Sequence, residues 1–377
     1  MAELSQLQKA WLHLLSCTLN GNLPDKEQLL QTNPQELYQL AETHLMLAVT
    51  AFGLNSIGID EPHFEEAKTK ALRRLVLFDA ERKKIFQALN QAGIWYCPLK
   101  GIILKDDYPV FGMREMTDND ILFDPTRMND VKEIMERLSF ECISFGDLNH
   151  DIYAKKPGLK FEMHRSLFRE EQMPLFAKYY SNVFNMLKPA GNCEYLFSVE
   201  DFYIYIVAHE YKHFSHFGTG MRSLMDVYMF LKAHTDLDWD YIKTELKKLK
   251  LTEYESHSRN LANKVFSGDE LTDDETEQLL LYLDSALYGD AQRGERNNLT
   301  QQFDGKDSKS VKAKYIFTHI FPSGEVLKKK YPFFYRHKYL LPFLYVYHPF
   351  KELFTHPKAI FRHTKNVVKY KSPKHRY

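Results

Sequence analysis

This chain has few cysteines, no long apolar run and no net charge, and each scarcity excludes something. Its four cysteines, Cys17, Cys97, Cys142 and Cys193, are far apart in 377 residues. They form neither a metal-ligand spacing nor an obvious disulfide framework, so a reducing, cytoplasmic setting is expected. No apolar stretch approaches the roughly 20 residues of a membrane span. The opening "MAELSQLQKAWLHLL" has no basic leader ahead of an apolar block and cleavage site, so no signal peptide is expected. Internal repeats and low-complexity tracts are missing too, which excludes solenoid and array architectures.

What is there is a core-forming composition with an uneven charge. Hydrophobic residues make up 44% of the chain, and its length suggests more than one domain. From Val311 onward there are 15 Lys+Arg against 2 Asp+Glu, a net +13, which leaves 35 against 48, or −13, for the rest. A basic end of this kind folds back on the acidic body, holds nucleic acid or meets another anionic surface. Packing on the body is the expected outcome, because prolines break the aromatic, basic stretch "YPFFYRHKYLLPFLYVYHPF".

Apolar periodicity divides the chain into four regions. Residues 1–93 are helical, ending in a long periodic stretch that Gly93 closes. Residues 94–170 form a small α/β core: "IWYCPL", "DILF", "FECISF", "DIYAK" and "LKFEMH" read as strands, and "DPTRMNDVKEIMERL" as a helix with an Asp-Pro start. Residues 171–310 are a helical domain, with a polar surface loop at 288–310, and 311–377 are the basic, aromatic C-terminal segment. The fold class is therefore α+β, a small mixed sheet flanked by helical regions.

Chemistry concentrates in "GMREMTDNDILFD". On a strand, Asp118 and Asp120 share one face while Asn119, Ile121 and Phe123 share the other. Adjacent carboxylates repel and are costly to desolvate, and a divalent cation such as Mg²⁺ removes that cost. In "LKFEMH", Lys160, Glu162 and His164 face opposite to Leu159, Phe161 and Met163. If both apolar faces pack on one core, Glu162 joins the aspartates in a three-carboxylate platform suited to in-line phosphoryl or nucleotidyl transfer. The competing reading is an exposed polar face with paired Lys and Glu. Upstream, Lys100-Gly101 ends a strand; glycine lets phosphate approach the backbone and the lysine adds a point charge. Arg114 is expected to meet a phosphate, to pair with Asp118, or to form an ordinary structural ion pair. Arg222 and Asp226, at i and i+4, are most simply a helical ion pair.

A rival pattern is "HEYKH", in which His209 and His213 would bind zinc and Glu210 would serve as the base of a hydrolase. The expected alternative is two helix histidines that pack or reach a phosphate cleft.

The order strand, glycine turn, helix, D-x-D strand and later carboxylate strand resembles the nucleotidyltransferase fold of the DNA polymerase β superfamily. A closer resemblance is to a bacterial family known as uncharacterised nucleotidyltransferases. It is carried by Pro98-Leu99-Lys100-Gly101, by Arg114 with Met116, Asp118 and Asp120, by Glu162 with His164, by His209 with His213, and by Arg222 with Asp226. It runs loosely over 10–345 and on motifs over 97–235. The resemblance implies that Asp118, Asp120 and Glu162 hold catalytic Mg²⁺. Lys100, Gly101, Arg114, His164 and Arg222 would line the nucleotide site. It implies transfer of a nucleotidyl group from an NTP to an acceptor (small molecule, peptide or protein) with release of pyrophosphate. A non-catalytic binding protein on the same fold is the remaining alternative. The superfamily has Gly-Ser or Gly-Gly at the turn; here Lys100-Gly101 stands instead, and the third carboxylate is Glu rather than Asp.

Overall fold

Alternation of apolar and polar residues builds a five-stranded mixed sheet from β1 (Tyr96–Pro98), β2 (Asn119–Phe123), β3 (Glu141–Ser144), β4 (His150–Lys155) and β5 (Leu159–His164). Its order is β1-β2-β5-β4-β3, with β2 and β5 parallel and every other pair antiparallel. The computed structural model describes residues 3–216 and 218–285, and further on 312, 327, 331–336, 338–344, 347 and 351. Contacts divide the chain into two units, Met1–Phe214 with Gly218–Tyr288, and Ser215–Phe217 with Gly289–Tyr377.

In the first unit, four helices come first: α1 (Gln6–Asn20), α2 (Lys26–Leu30), α3 (Pro34–Thr43) and α4 (Leu47–Ser56). Ser5 caps α1 in a box with Gln8, and Asp25 and Asn33 cap the next two through their side-chain oxygens. The long helix α5 (Pro62–Gln91) follows, and Gly93, at φ +63°, turns the chain into the sheet. A short helix, α6 (Gly101–Leu104), lies between β1 and β2, and α7 (Met128–Arg137) between β2 and β3. Asp124 accepts the Thr126 N–H ahead of α7, as its Asp-Pro start predicts. Beyond the sheet come α8 (Pro174–Tyr179), α9 (Val199–His216), α10 (Met221–Ala233), α11 (Trp239–Leu249), α12 (Thr252–Ser267) and α13 (Asp273–Leu283). A short hairpin, β6 (Leu187–Pro189) with β7 (Tyr195–Phe197), interrupts the region expected to be helical throughout. Three-residue strands are too short for a period to show in sequence.

The two faces of the sheet meet different cores. Ile121, Phe123, Leu159, Phe161 and Met163 pack against Leu75, Phe78 and Ile85 of α5 and Val131, Ile134 and Met135 of α7. Phe161 meets Phe78 and Phe140 edge-on, at 5.6 and 5.2 Å between ring centroids, contacts worth about 1 kcal/mol each beyond area burial. On the other face, Leu122 joins the larger core of the flanking helices. One apolar face thus fixes which way Asp120, Glu162 and His164 must point.

In the second unit, Leu327, Tyr331 and Leu344 are buried together, with Phe334, Tyr335 and Leu341 packed on them. The expected loop at 288–310, and most of the basic segment from 311, lie outside the described residues. Among the described residues no helix is long and apolar enough to cross a membrane.

Candidate active site

The parallel register of β2 and β5 sets Asp120 directly opposite Glu162, and Ile121 opposite Met163. Asp118 lies two residues before Asp120, just ahead of β2. All three carboxylates line one cavity of about 320 Å³, whose wall also includes Lys100, Gly101 and His164. The opposing side is furnished by α9 and α10, through His209, Lys212, His213 and Arg222.

Two side-chain nitrogens stand on Asp120. The Lys100 ammonium and His164 Nε2 both contact Oδ1, at 2.7 and 2.8 Å. Burial pushes Asp120 up, but Lys100 and then His164 outweigh it and hold the carboxyl well below the usual range. Asp118 is half-buried and differently served. Among the described residues its one hydrogen bond is a 3.2 Å contact with the Thr117 hydroxyl, and burial followed by the Asp120 charge raises its pKa. Glu162 takes the Lys160 ammonium at 2.5 Å and has His150 Nε2 at 3.6 Å and His164 Nε2 at 3.7 Å. Ligand atoms of His150, Glu162 and His164 fall within 4.8 Å of one another. Burial, then His164, lowers His150 to about 4, so that it is a neutral donor at pH 7.

Lys100 sits at φ +49° and ψ −121°, ahead of α6. A residue with a Cβ pays about 1–3 kcal/mol there. Its charge is directed at Asp120 rather than left open to a phosphate. Gly101 is required by packing: a Cβ would collide with the Arg114 guanidinium and come within 2.7 Å of the Met116 sulfur.

Arg114 lines the same cavity but does not pair with Asp118. Its Nε and Nη2 donate to the two oxygens of Asp226 at 2.7 and 2.8 Å, and the Tyr108 hydroxyl donates to the same carboxylate at 2.7 Å. The expected Arg222–Asp226 pair is therefore not formed. A buried bidentate fork outcompetes an exposed i, i+4 contact worth a few tenths of a kcal/mol. Arg222 is left lining the cavity, with a 3.4 Å contact to the Glu115 carbonyl and no carboxylate in ion-pairing range among the described residues.

His209 and His213 share one face of α9, with Nε2 atoms 3.3 Å apart. Burial, then Lys100, pushes His209 well below its ordinary value. Glu210 turns elsewhere and accepts from Ser258 and Tyr282, both at 3.3 Å. Burial raises it to about 7, against those hydrogen bonds. Among the described residues, the group with metal-ligand spacing contains neither helix histidine.

The cavity also holds groups that sequence reasoning did not single out. His150 arrives because β4 sets it opposite His164; only the hairpin register could have revealed it. Lys212, lowered to about 8 by burial and then by Lys100, faces the carboxylates from α9; its lone signal was its place three residues after His209.

Neither a curated protein nor a solved structure matches this chain. A family described as uncharacterised nucleotidyltransferase matches residues 31–267, which include every strand of the sheet and every candidate residue named above. The match covers well over half of the sequence, and the chain belongs to that family.

Proposed function

We propose that this chain is a Mg²⁺-dependent nucleotidyltransferase of the DNA polymerase β-like type, working in the cytoplasm on an NTP and an acceptor. One observation carries the reading: the β2–β5 register brings Glu162 opposite Asp120 in the cavity that Asp118 also lines.

The donor set fits a hard divalent cation. Asp118 is a half-buried carboxylate beside another, with one hydroxyl for company, and its charge is stabilised by a cation rather than by the fold. Asp118, Asp120 and Glu162 would hold the ion, which when bound supplies Lewis-acid neutralisation of phosphate charge. The chain's own groups do the rest. His164 orients Asp120 through its 2.8 Å bond. Arg222, unpaired with any described carboxylate, is the guanidinium directed at the triphosphate. Gly101 keeps the turn small where the nucleotide would approach, and the Arg114–Asp226 fork braces that turn against α10. In the reaction, an acceptor oxygen attacks the α-phosphorus, the P–O bond to the β-phosphate breaks, and pyrophosphate and the acceptor proton leave.

The test is incubation of the purified protein with each of the four NTPs, Mg²⁺ and a cell extract. Mass spectrometry then looks for nucleotidylated products. A Mg²⁺-dependent adduct and pyrophosphate are expected. Nucleotide binding unaffected by chelation, with no adduct from any NTP, would favour a non-catalytic binding protein.

A further inference from the structure

The platform is asymmetric in where its counter-charges come from. Asp120 and Glu162 each carry an ammonium, Lys100 at 2.7 Å and Lys160 at 2.5 Å. Asp118 has no Lys or Arg within ion-pairing range among the described residues, only the Thr117 hydroxyl at 3.2 Å. Lys160 is an ordinary strand neighbour two residues from its partner, but Lys100 is held in place at a cost. Its backbone, at φ +49° and ψ −121°, is one that glycine adopts freely and that strains a residue with a Cβ. Yet glycine follows at 101, and lysine occupies the strained position. The side chain so placed meets Asp120 Oδ1, the same oxygen that His164 Nε2 contacts at 2.8 Å. With two N–H donors on it, that oxygen has no direction left for a metal ion.

We propose that the Lys100 ammonium is a resident cation of the platform, standing on Asp120 in the place of a second metal ion, so that the site takes one divalent cation rather than two. The proposal rests on the carboxylate platform proposed above and adds its stoichiometry. The single ion belongs beside Asp118, the platform carboxylate with which no described Lys or Arg forms an ion pair. Lys100 is then a positioning residue, fixed in number and place, whereas a metal ion's occupancy varies with concentration.

Binding of Mn²⁺ alone to the full-length protein tests this. Free Mn²⁺ is followed by electron paramagnetic resonance, and stoichiometry is checked by calorimetry. Wild type and Lys100→Arg are expected to bind one ion, and Lys100→Gly two. Glycine suits the backbone at that position, so the variant is not strained; Lys100→Met, which keeps the length of the chain without its charge, should also bind two. At saturating Mn²⁺ the melting temperature of Lys100→Gly should rise further above its metal-free value than that of wild type, since a second bound ion adds to stabilisation by linkage. Two ions in wild type, or one in both uncharged variants, overturns the proposal while leaving the platform intact. Failure of wild type to bind Mn²⁺, or binding that survives Asp118→Asn unchanged, overturns the platform itself, and this inference with it.

Discussion

Two short stretches of this chain spell a metal site, and the fold treats them differently. In "TDNDILF" the strand period puts two carboxylates on one face, and a partner strand 40 residues away in sequence supplies the third group in register, Glu162 opposite Asp120. In "HEYKH" the helix period puts His209 and His213 on one face but sends Glu210 about 100° round, into contact with Ser258 and Tyr282. Both patterns satisfy local spacing. What separates them is whether another element brings a further donor to the same face. The sheet does so through its register, while on α9 His209 is lowered, after burial, by the charges of Lys100 and Lys212, and among the described residues the group with metal-ligand spacing includes neither helix histidine.

The largest effect expected from this contrast is at the aspartates. Asp120→Asn and Asp118→Asn should each lower adduct formation by about 10²–10³-fold or more, with the fold retained by circular dichroism. The swap keeps size; at Asp118 it removes a charge that Asp120 repels, while at Asp120 it leaves the Lys100 ammonium without its carboxylate, so Asp120→Asn should be the less stable of the two. Activity within a few-fold of wild type in Asp120→Asn would reduce the strand to a polar-faced one.

Next comes Glu210, the group that departs from its own pattern. Its pKa of about 7 against an ordinary 4.5 means the folded state binds the extra proton. Stability is then greatest below about pH 4.5 and falls as pH rises to about 7, by at most about 3 kcal/mol from this group. Glu210→Gln should remove that slope and be the more stable protein at pH 8, as denaturant titrations at pH 5 and pH 8 would show. An unchanged slope would mean that Glu210 is ionised in the fold, as a zinc hydrolase's base requires.

A smaller effect is expected at Arg222. Arg222→Met should weaken Mg²⁺-NTP binding by about tenfold to a hundredfold, the loss of one or two charge-assisted hydrogen bonds. Calorimetry would read this directly, and undiminished affinity would remove Arg222 from the phosphate site. The smallest difference concerns zinc. Metal analysis should find well under one zinc per chain in wild type and the same in His213→Ala; one zinc per chain, lost in the variant, would reverse the contrast between the two stretches.

Much of this was legible in the sequence, for a physical reason. A short apolar run marked β1, alternation marked the face of β5, and the strand period of "DNDILF" set the side on which Asp120 lies with Glu162 and His164. Partner choice was not legible. Arg114 takes Asp226 across 112 residues, leaving Arg222 without a carboxylate partner among the described residues, because a buried fork wins over a helical neighbour. Lys100 was readable as a charge near a turn, but its strained φ and its seat on Asp120 belong to tertiary structure. His150 depended on hairpin register, and β6 and β7 were too short to show a period.

The parallel pairing of β2 with β5 carries a consequence for how the cavity comes into being. Parallel strands cannot be joined by a tight turn, so Asp120 and Glu162 meet only after α7, β3 and β4 have been laid down between them. That contact is nonlocal, so forming it carries a loop-closure cost that a local pairing would not. Without that pairing, Asp118 and Asp120 have no third carboxylate facing them. A one-residue slip of β5 would turn Glu162 into the apolar core and Phe161 and Met163 toward the cavity. If the platform binds an ion as proposed, that binding stabilises only chains in which β2 and β5 pair in this register, because only there do Asp120 and Glu162 meet.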